Sequence, residues 1–553
     1  VDELMPVKQI VVDNTKTYTF KGNGGFSGDG SLVKNGEGDL LLNLTKSDYT
    51  GATVINGGTV TVKELADGGI PSSFGAASAS ADNLKIGKTV LKIDNANTAT
   101  NRGMTLTDSA VIQVAGGTTS FKGMIKGKGT LIKKGAGQLN ITFGGSNTWS
   151  GGTVIEGGTL AMGAWNTTFG LSTSKITAKG GTIRMFDNNS SSAIPVFNNS
   201  LEVVQDKTLS FIGGSRCRVQ GKLTGEGTLK ISFPYVRGDV STDMSAFKGT
   251  YEVTSGQLRL VAATDLSQAT LKPGAGVYVA HYKEQNGTEQ NMTTKIGSLV
   301  SDATDCTLST GTWNVGYLGG NDTFAGVFNA NATLNKYGDG ILILTGESQG
   351  KVNVYAGILS LCNSSSNSNV TVNNGGMLVG TGSAASVTVN KNGVIGAGKT
   401  PDILSVGKLS LTGDLNVKSG GIICSRVRKS SFLRCDALKV DGKVTLASPV
   451  FRIELMSGSF AEGDVLKVFT VDGELTLTGT PVFEPTVPGS GLLWDASSLS
   501  TDGCIRIVAD PTGIDEISAD GRKDDEIFDL SGRKLHDADK RGVYIVNGKK
   551  VIR

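Results

Sequence analysis

A glycine-punctuated cassette recurs four times in this chain, and no other feature of the sequence restricts the fold as strongly. Its clearest copy, residues 127–162, reads GKGTLIKKGAGQLNITFGGSNTWSGGTVIEGGTLAM. Strand-like runs at 130–133, 138–143, 153–155 and 159–162 are separated by Gly-x-Gly pairs and Gly-Gly steps. Within them Leu, Ile and Val alternate with Lys, Thr and Asn. That is the period of two of a strand with one buried face, the polar set being read as the other face. The glycines supply positive φ angles that β-branched neighbours cannot adopt. Gly151-Gly152 and Gly157-Gly158 are expected to include such positions, so Gly157→Val is expected to cost on the order of 1–3 kcal/mol.

The spacing between copies is nearly fixed. Residues 28–62 repeat the cassette with Gly28 99 positions before Gly127 and Gly57 100 before Gly157. A third copy begins at Gly225 and ends in YEVTSGQLRL with Gly256, and a fourth ends in GILSL, its Gly357 101 positions after Gly256. Short strands and turn glycines at a constant interval are the mark of a stacked, quasi-one-dimensional fold.

The cassette resembles the autotransporter-associated β-strand repeat, also called the passenger-associated transport repeat. Residues 127–160 match nearly every fixed position of its GxGxLxKxGxGxLxLxGxNxYxGxTxIxxGxLxV pattern, with Trp149 at the aromatic step and Tyr49 there in the first copy. The third copy departs from it, carrying Phe233-Pro234-Tyr235 where the second Gly-x-Gly belongs. The resemblance implies an all-β protein, a right-handed parallel β-helix on a secreted or surface-displayed molecule. It implies nothing direct about catalysis.

Composition supports a turn-rich rod and removes several functions. Of 553 residues, 78 are glycine and only 6% aromatic, and glycine at that level without a collagen period fits many tight turns between short strands. Fifty-three basic residues mingle with 50 acidic ones, which argues against a nucleic-acid partner, since that needs a concentrated basic face. No run approaches the roughly 18 apolar residues of a membrane span. The opening VDELMPVKQI has no apolar signal core and reads as the start of a mature form or of a piece of something longer. The six cysteines show no Cys-x-x-Cys spacing, and with two histidines in the chain no metal or other cofactor is expected. Cys424 and Cys435 flank the basic segment SRVRKSSFLR, and a bridge between them across a loop is a weaker alternative to six small buried thiols.

Residues 274–292, GAGVYVAHYKEQNGTEQNM, hold the most site-like chemistry. Tyr278, His281 and Tyr282 cluster there with Lys283, Glu284 and Glu289, and such groups suit contact with glycans. The plainer reading is a strand entering a solvated loop. Because parallel β-helices include polysaccharide lyases and hydrolases, an enzyme is the rival class. It requires paired carboxylates beside Arg or Lys on one face, and the sequence shows no such constellation. Three or more acidic and basic side chains converging on one groove would favour it.

These readings divide the chain into a repeat-bearing β-helix over 1–369, with cassettes near 22–62, 121–162, 219–260 and 324–361. Shorter, regular rungs and a cap follow over 370–509, then a linker at 510–513 and a small β-sandwich-like module at 514–553. The D-x-L-x-V-x-G-x-V-x-L run from Asp436 and the segment Gly491 to Gly503 resemble the closing part of the same repeat family, and Trp494 reads as cap core. The last module resembles the C-terminal sorting domain of the type IX secretion route. Its motif falls on Asp529, Leu530, Gly532 and Arg533, and on Gly542, Tyr544, Val546, Lys549 and Lys550, with a hairpin at Asn547-Gly548. That resemblance implies secretion machinery as a partner and the outer-membrane surface of a Gram-negative bacterium as destination. The function expected is a non-catalytic stalk that presents an upstream module or adheres to glycans or host material.

Overall fold

Strand follows strand around three faces of a long parallel solenoid. The computed structural model describes the chain except residues 64, 96, 284–286, 363–367, 399–405, 512–526, 531, 536–542, 547–548 and 553. Among the described residues, helix is confined to one turn at Leu499–Asp502 and a 3-10 turn at Ala81–Asn83. One face is built in succession by parallel ladders of six, seven and four strands, and a second opens with a ladder of eleven. The eighteen-stranded ladder starts on the third face and crosses to the second inside the ten-residue Thr264–Pro273 strand. There Thr270 pairs with Thr250 of the preceding turn, while Thr264 and Leu266 pair with Thr294 and Ile296 of the next. Stacking on the order of twenty layers at about 4.8 Å makes a rod of about 100 Å.

The intervals between cassettes, read from sequence as irregular, are further turns of the same helix, for example Thr89–Ile93 on Ala110–Val114. The rungs also fail to become uniformly short after residue 370. Val370 lies 17 residues before its partner Val387, but Leu415 lies 29 before Val444. Alternation holds the core together: Leu131, Leu139, Ile155 and Leu160 are fully buried while Ile132 and Val154 are half-exposed. Each such buried side chain contributes roughly 1.5–3 kcal/mol. Outward-facing asparagines join successive rungs, Asn335 Nδ2 donating to Asn314 Oδ1 and Asn353 Nδ2 to Asn335 Oδ1, each at 2.8 Å. Tyr49 and Trp149, at the aromatic step of the cassette, are fully buried and engage Thr53 and Thr153 hydroxyls at 2.7 and 3.2 Å.

The cassette lysine reverses the sequence reading. Lys34, Lys133 and Lys336 lie on the buried face, at most 1% exposed, because each stands two residues after an inward leucine. Each ammonium closes a turn from inside. Lys133 Nζ donates to the carbonyls of Lys134, Gly135 and Gly157 at 2.7, 2.9 and 3.2 Å. Lys336 does the same with Tyr337, Gly338 and Ala356, and Lys34 with Asn35, Gly36 and Gly57. In the third copy Ile231 occupies the inward place and Lys230 is exposed, so that copy has no such cage. The positive φ angles fall one residue later than the Gly57 and Gly157 alignment suggested: Gly58, Gly158, Gly256 and Gly357 have φ of 70°, 63°, 84° and 61°.

The distal end is closed by an antiparallel sheet of Val465–Lys467, Cys504–Ala509 and Leu492–Asp495. Trp494 stacks on Phe483 at 5.6 Å and meets Phe460 edge-on, the role of a cap side chain. All six cysteines are free, so Cys424 and Cys435 are not bridged; the antiparallel partner of Cys435 is Val427. Beyond the cap, Ile527–Phe528, Lys534–Leu535, Val543–Val546 and Lys549–Ile552 form one antiparallel sheet. Residues 512 and 513 of the expected linker, Gly542 and the Asn547-Gly548 turn lie outside the described residues.

Candidate functional site on the first face

The strands Arg216–Val219, Arg237–Val240, Gln257–Leu260 and Tyr278–His281 stack on consecutive turns of the first face. Leu258 pairs with Val279 and Leu260 with His281, all inward, so parity sends Gln257, Arg259 and Tyr278 outward, while Tyr282, just past the strand, is 8% exposed. Gly238 is required by packing, since a Cβ there would stand 1.9 Å from the Phe233 ring, buried where the cassette pattern breaks.

Two of the three expected contact residues come together. The Tyr278 hydroxyl donates to Glu289 Oε1 at 2.6 Å, and the Tyr282 hydroxyl reaches the same oxygen at 3.2 Å. Thr310 and Ser309 donate to the other carboxylate oxygen. The Arg259 guanidinium carbon lies 4.0 Å from the centroid of the Tyr282 ring, and Gln257 Nε2 donates to the Tyr282 hydroxyl at 3.0 Å. Burial pushes the Tyr278 phenol up to about 12, with Glu289 adding to the shift, and raises Tyr282 for the same reasons. Burial alone would raise Glu289, but the hydroxyls around it outweigh that and hold its carboxyl below the ordinary range.

His281 does not join them. It is fully buried, its Nε2 2.8 Å from Thr294 Oγ1 and its Nδ1 3.0 Å from the Thr310 carbonyl, with Trp313 4.8 Å away. Desolvation keeps it below its ordinary pKa, in the neutral form. It is a core histidine. Glu284 lies outside the described residues.

The arginines beside this cluster were missed in the sequence. Arg216 pairs in register with Arg237, and Asp239 sits between Arg218 and Arg259. Asp239 is 4% exposed, its Oδ1 accepts no hydrogen bond, and Arg237 Nε stands 3.5 Å away. Burial raises the Asp239 carboxyl above its ordinary value against the pull of the surrounding arginines. The four arginines are 22 or fewer residues apart along the chain in successive pairs, a spacing that shows only once the turn length is known.

In the tail, Asp529 and Gly532 shape a turn: Asp529 Oδ1 accepts from the Arg533 amide at 2.9 Å, and Gly532 adopts φ 79°. Leu530 is 67% exposed, and Tyr544 and Val546 lie on the strand that pairs with Lys549 and Lys550. Among the described residues, no three His, Cys, Asp or Glu side chains gather as a metal site requires, and no helix is long and apolar enough to cross a membrane.

The fold is a parallel β-solenoid of stacked turns. The signature of the passenger-associated-transport-repeat family matches residues 32–62, 131–162 and 334–378, the three copies that carry a caged lysine. The chain is similar to the adhesin BmaC autotransporter of Brucella suis biovar 1 (strain 1330), with 28% identity over 354 residues. That alignment covers 59% of this chain but only 9% of the relative's length.

Proposed function

We propose that this chain is a surface-displayed, non-catalytic rod of a Gram-negative bacterium that meets glycans or host material along its side. Three things support the reading: the repeats, the solenoid, and the likeness to a protein described as an adhesin. The observation that carries it is the row formed by Gln257, Arg259, Tyr278 and Tyr282 around Glu289. It places amide, guanidinium, phenol and carboxylate groups together on the flat side of a rod, the mixture that polyhydroxylated ligands use. An upstream module presented by the rod, and a sorting role for 514–553 toward secretion machinery, belong to the same proposal.

A polysaccharide-cleaving enzyme is the second reading, favoured by the convergence of Arg216, Arg218, Arg237, Arg259 and Asp239. The protonation states weigh against it. A lyase base must be able to lose a proton near the working pH, whereas Tyr278 and Tyr282 are held protonated and Glu289 is already occupied by four hydroxyls. The test is binding of the full chain to arrays of soluble glycans, compared with an Arg259→Ala, Tyr282→Ala variant. Ligands lost in that variant support the reading. Absence of any glycan binding, or binding indifferent to both substitutions, counts against it.

A further inference from the structure

The turns that follow Gly311–Val315, Ala332–Lys336 and Lys351–Val354 carry a ladder of three tyrosines. Tyr337 stacks on Tyr355 with ring centroids 5.0 Å apart and planes 9° from parallel. Tyr317, from the turn before, stacks on Tyr337 at 5.4 Å and 17°.

Register builds the ladder. Lys336 pairs with Val354, so Tyr337 and Tyr355 take the same place on consecutive turns. Their amides donate to the Val315 and Lys336 carbonyls of the preceding turns at 2.7 and 2.9 Å. Gly316 holds that place one turn earlier, and Tyr317, next along the chain, supplies the third ring. The bonded side chains of Asn314, Asn335 and Asn353 fix the same three turns from outside. From inside, the Lys336 ammonium bonds the Tyr337 and Gly338 carbonyls at 2.7 and 2.8 Å.

With a ring on each face of Tyr337, the ladder leaves little for a ligand that binds by stacking. What it holds instead is two phenols in fixed proximity, the condition under which a bimolecular coupling becomes an intramolecular one. Tyr317 and Tyr355 are each 40% exposed, so a soluble oxidant reaches the ladder from either end. Tyr18 and Tyr235 are more exposed, at 57% and 63%, but neither stands in such a stack among the described residues.

We propose that Tyr337 and Tyr355 are a site of oxidative coupling, joined through ring carbons ortho to their hydroxyls when a peroxidase and hydrogen peroxide act on the rod. Each phenol gives up one electron and its hydroxyl proton, and the two radicals pair to form one carbon–carbon bond. The hydrogens on the two joined carbons then pass through water to the phenolic oxygens, which restores both phenols. The peroxide takes up the two electrons and two protons and leaves as two molecules of water. The product is a covalent staple between consecutive turns, and it restricts the unfolded chain as a disulfide does. It uses none of the first-face residues and stands whether or not the rod binds glycan.

The test treats the full chain, at high dilution, with a haem peroxidase and limiting hydrogen peroxide. Expected are dityrosine fluorescence, a monomer lighter by two hydrogens, a peptide map that links residues 337 and 355, and a higher melting temperature than the untreated chain. Tyr337→Phe keeps a ring in the stack but removes the central phenol, and the linked monomer is expected to be lost. Tyr18→Phe, Tyr235→Phe should form it as the wild type does, and circular dichroism confirms that each variant is folded. Coupling found only between molecules, a link that maps to Tyr317 and Tyr337 alone, or a linked monomer that survives Tyr337→Phe overturns the proposal. So does a link that leaves the melting temperature unchanged.

Discussion

Lys133 Nζ lies 3.2 Å from the carbonyl oxygen of Gly157, 24 residues further on and one turn up the rod. The lysine therefore ties its own turn to the next one, and the cassette is a unit of two stacked rungs rather than one. Lys133→Met keeps the volume but leaves three part-buried turn carbonyls without their donor. It is expected to cost on the order of 1–3 kcal/mol in urea unfolding and to speed amide exchange in the 134–138 and 156–158 turns. An unchanged unfolding midpoint would show that the cage is incidental.

The same lysines give a pH dependence with a definite sign. Burial lowers Lys133 and Lys336 from 10.5 to about 8. The folded chain thus gives up these protons before the unfolded chain does. Between about pH 8 and 10.5 the unfolded state binds more protons, so stability rises with pH across that window. Below it both states are charged and the contribution is flat. The rise is isolated by subtracting the thermal unfolding curve of a Lys133→Met, Lys336→Met variant, since tyrosines and cysteines titrate in the same range.

The two glycines at 157 and 158 are not equivalent. A Cβ on Gly158, at φ 63°, would stand 2.2 Å from the Gly135 carbonyl and 2.4 Å from that of Gly137. On Gly157 the nearest atom would be 3.9 Å away. Gly158→Ala is expected to cost about 2 kcal/mol or more, and Gly157→Ala less than about 0.5 kcal/mol. Equal melting temperatures for the two variants would contradict the turn geometry.

The turn glycines, the strand runs and the stacked fold were legible because repetition shows four times what one copy leaves ambiguous. Which way the lysines and His281 face was equally present, in parity, since Leu131 and Lys133, like Val279 and His281, are two residues apart. A polar residue on an inward position is masked by its chemical type, which by itself points to the outside. The arginine row was not legible. It rests on successive turns of 21, 20 and 21 residues, an interval that the roughly hundred-residue spacing of the cassettes does not reveal.

Removing residues 514–553 is expected to leave the rod's circular dichroism and melting essentially unchanged, because the cap at Leu492–Asp495 and Cys504–Ala509 already closes the solenoid. In the native host the truncated protein is expected to stay in the periplasm. Surface display without the tail would reduce the sorting resemblance to that of an ordinary β-module.

Whether the first-face cluster holds glycan or cuts it is decided most directly by incubating the full chain with polygalacturonate and following both retention and chain length. The account predicts polymer retained at full length, with retention reduced in Arg259→Ala, Tyr282→Ala. Progressive shortening of the polymer with new unsaturated chain ends, abolished by Tyr278→Phe, would contradict it.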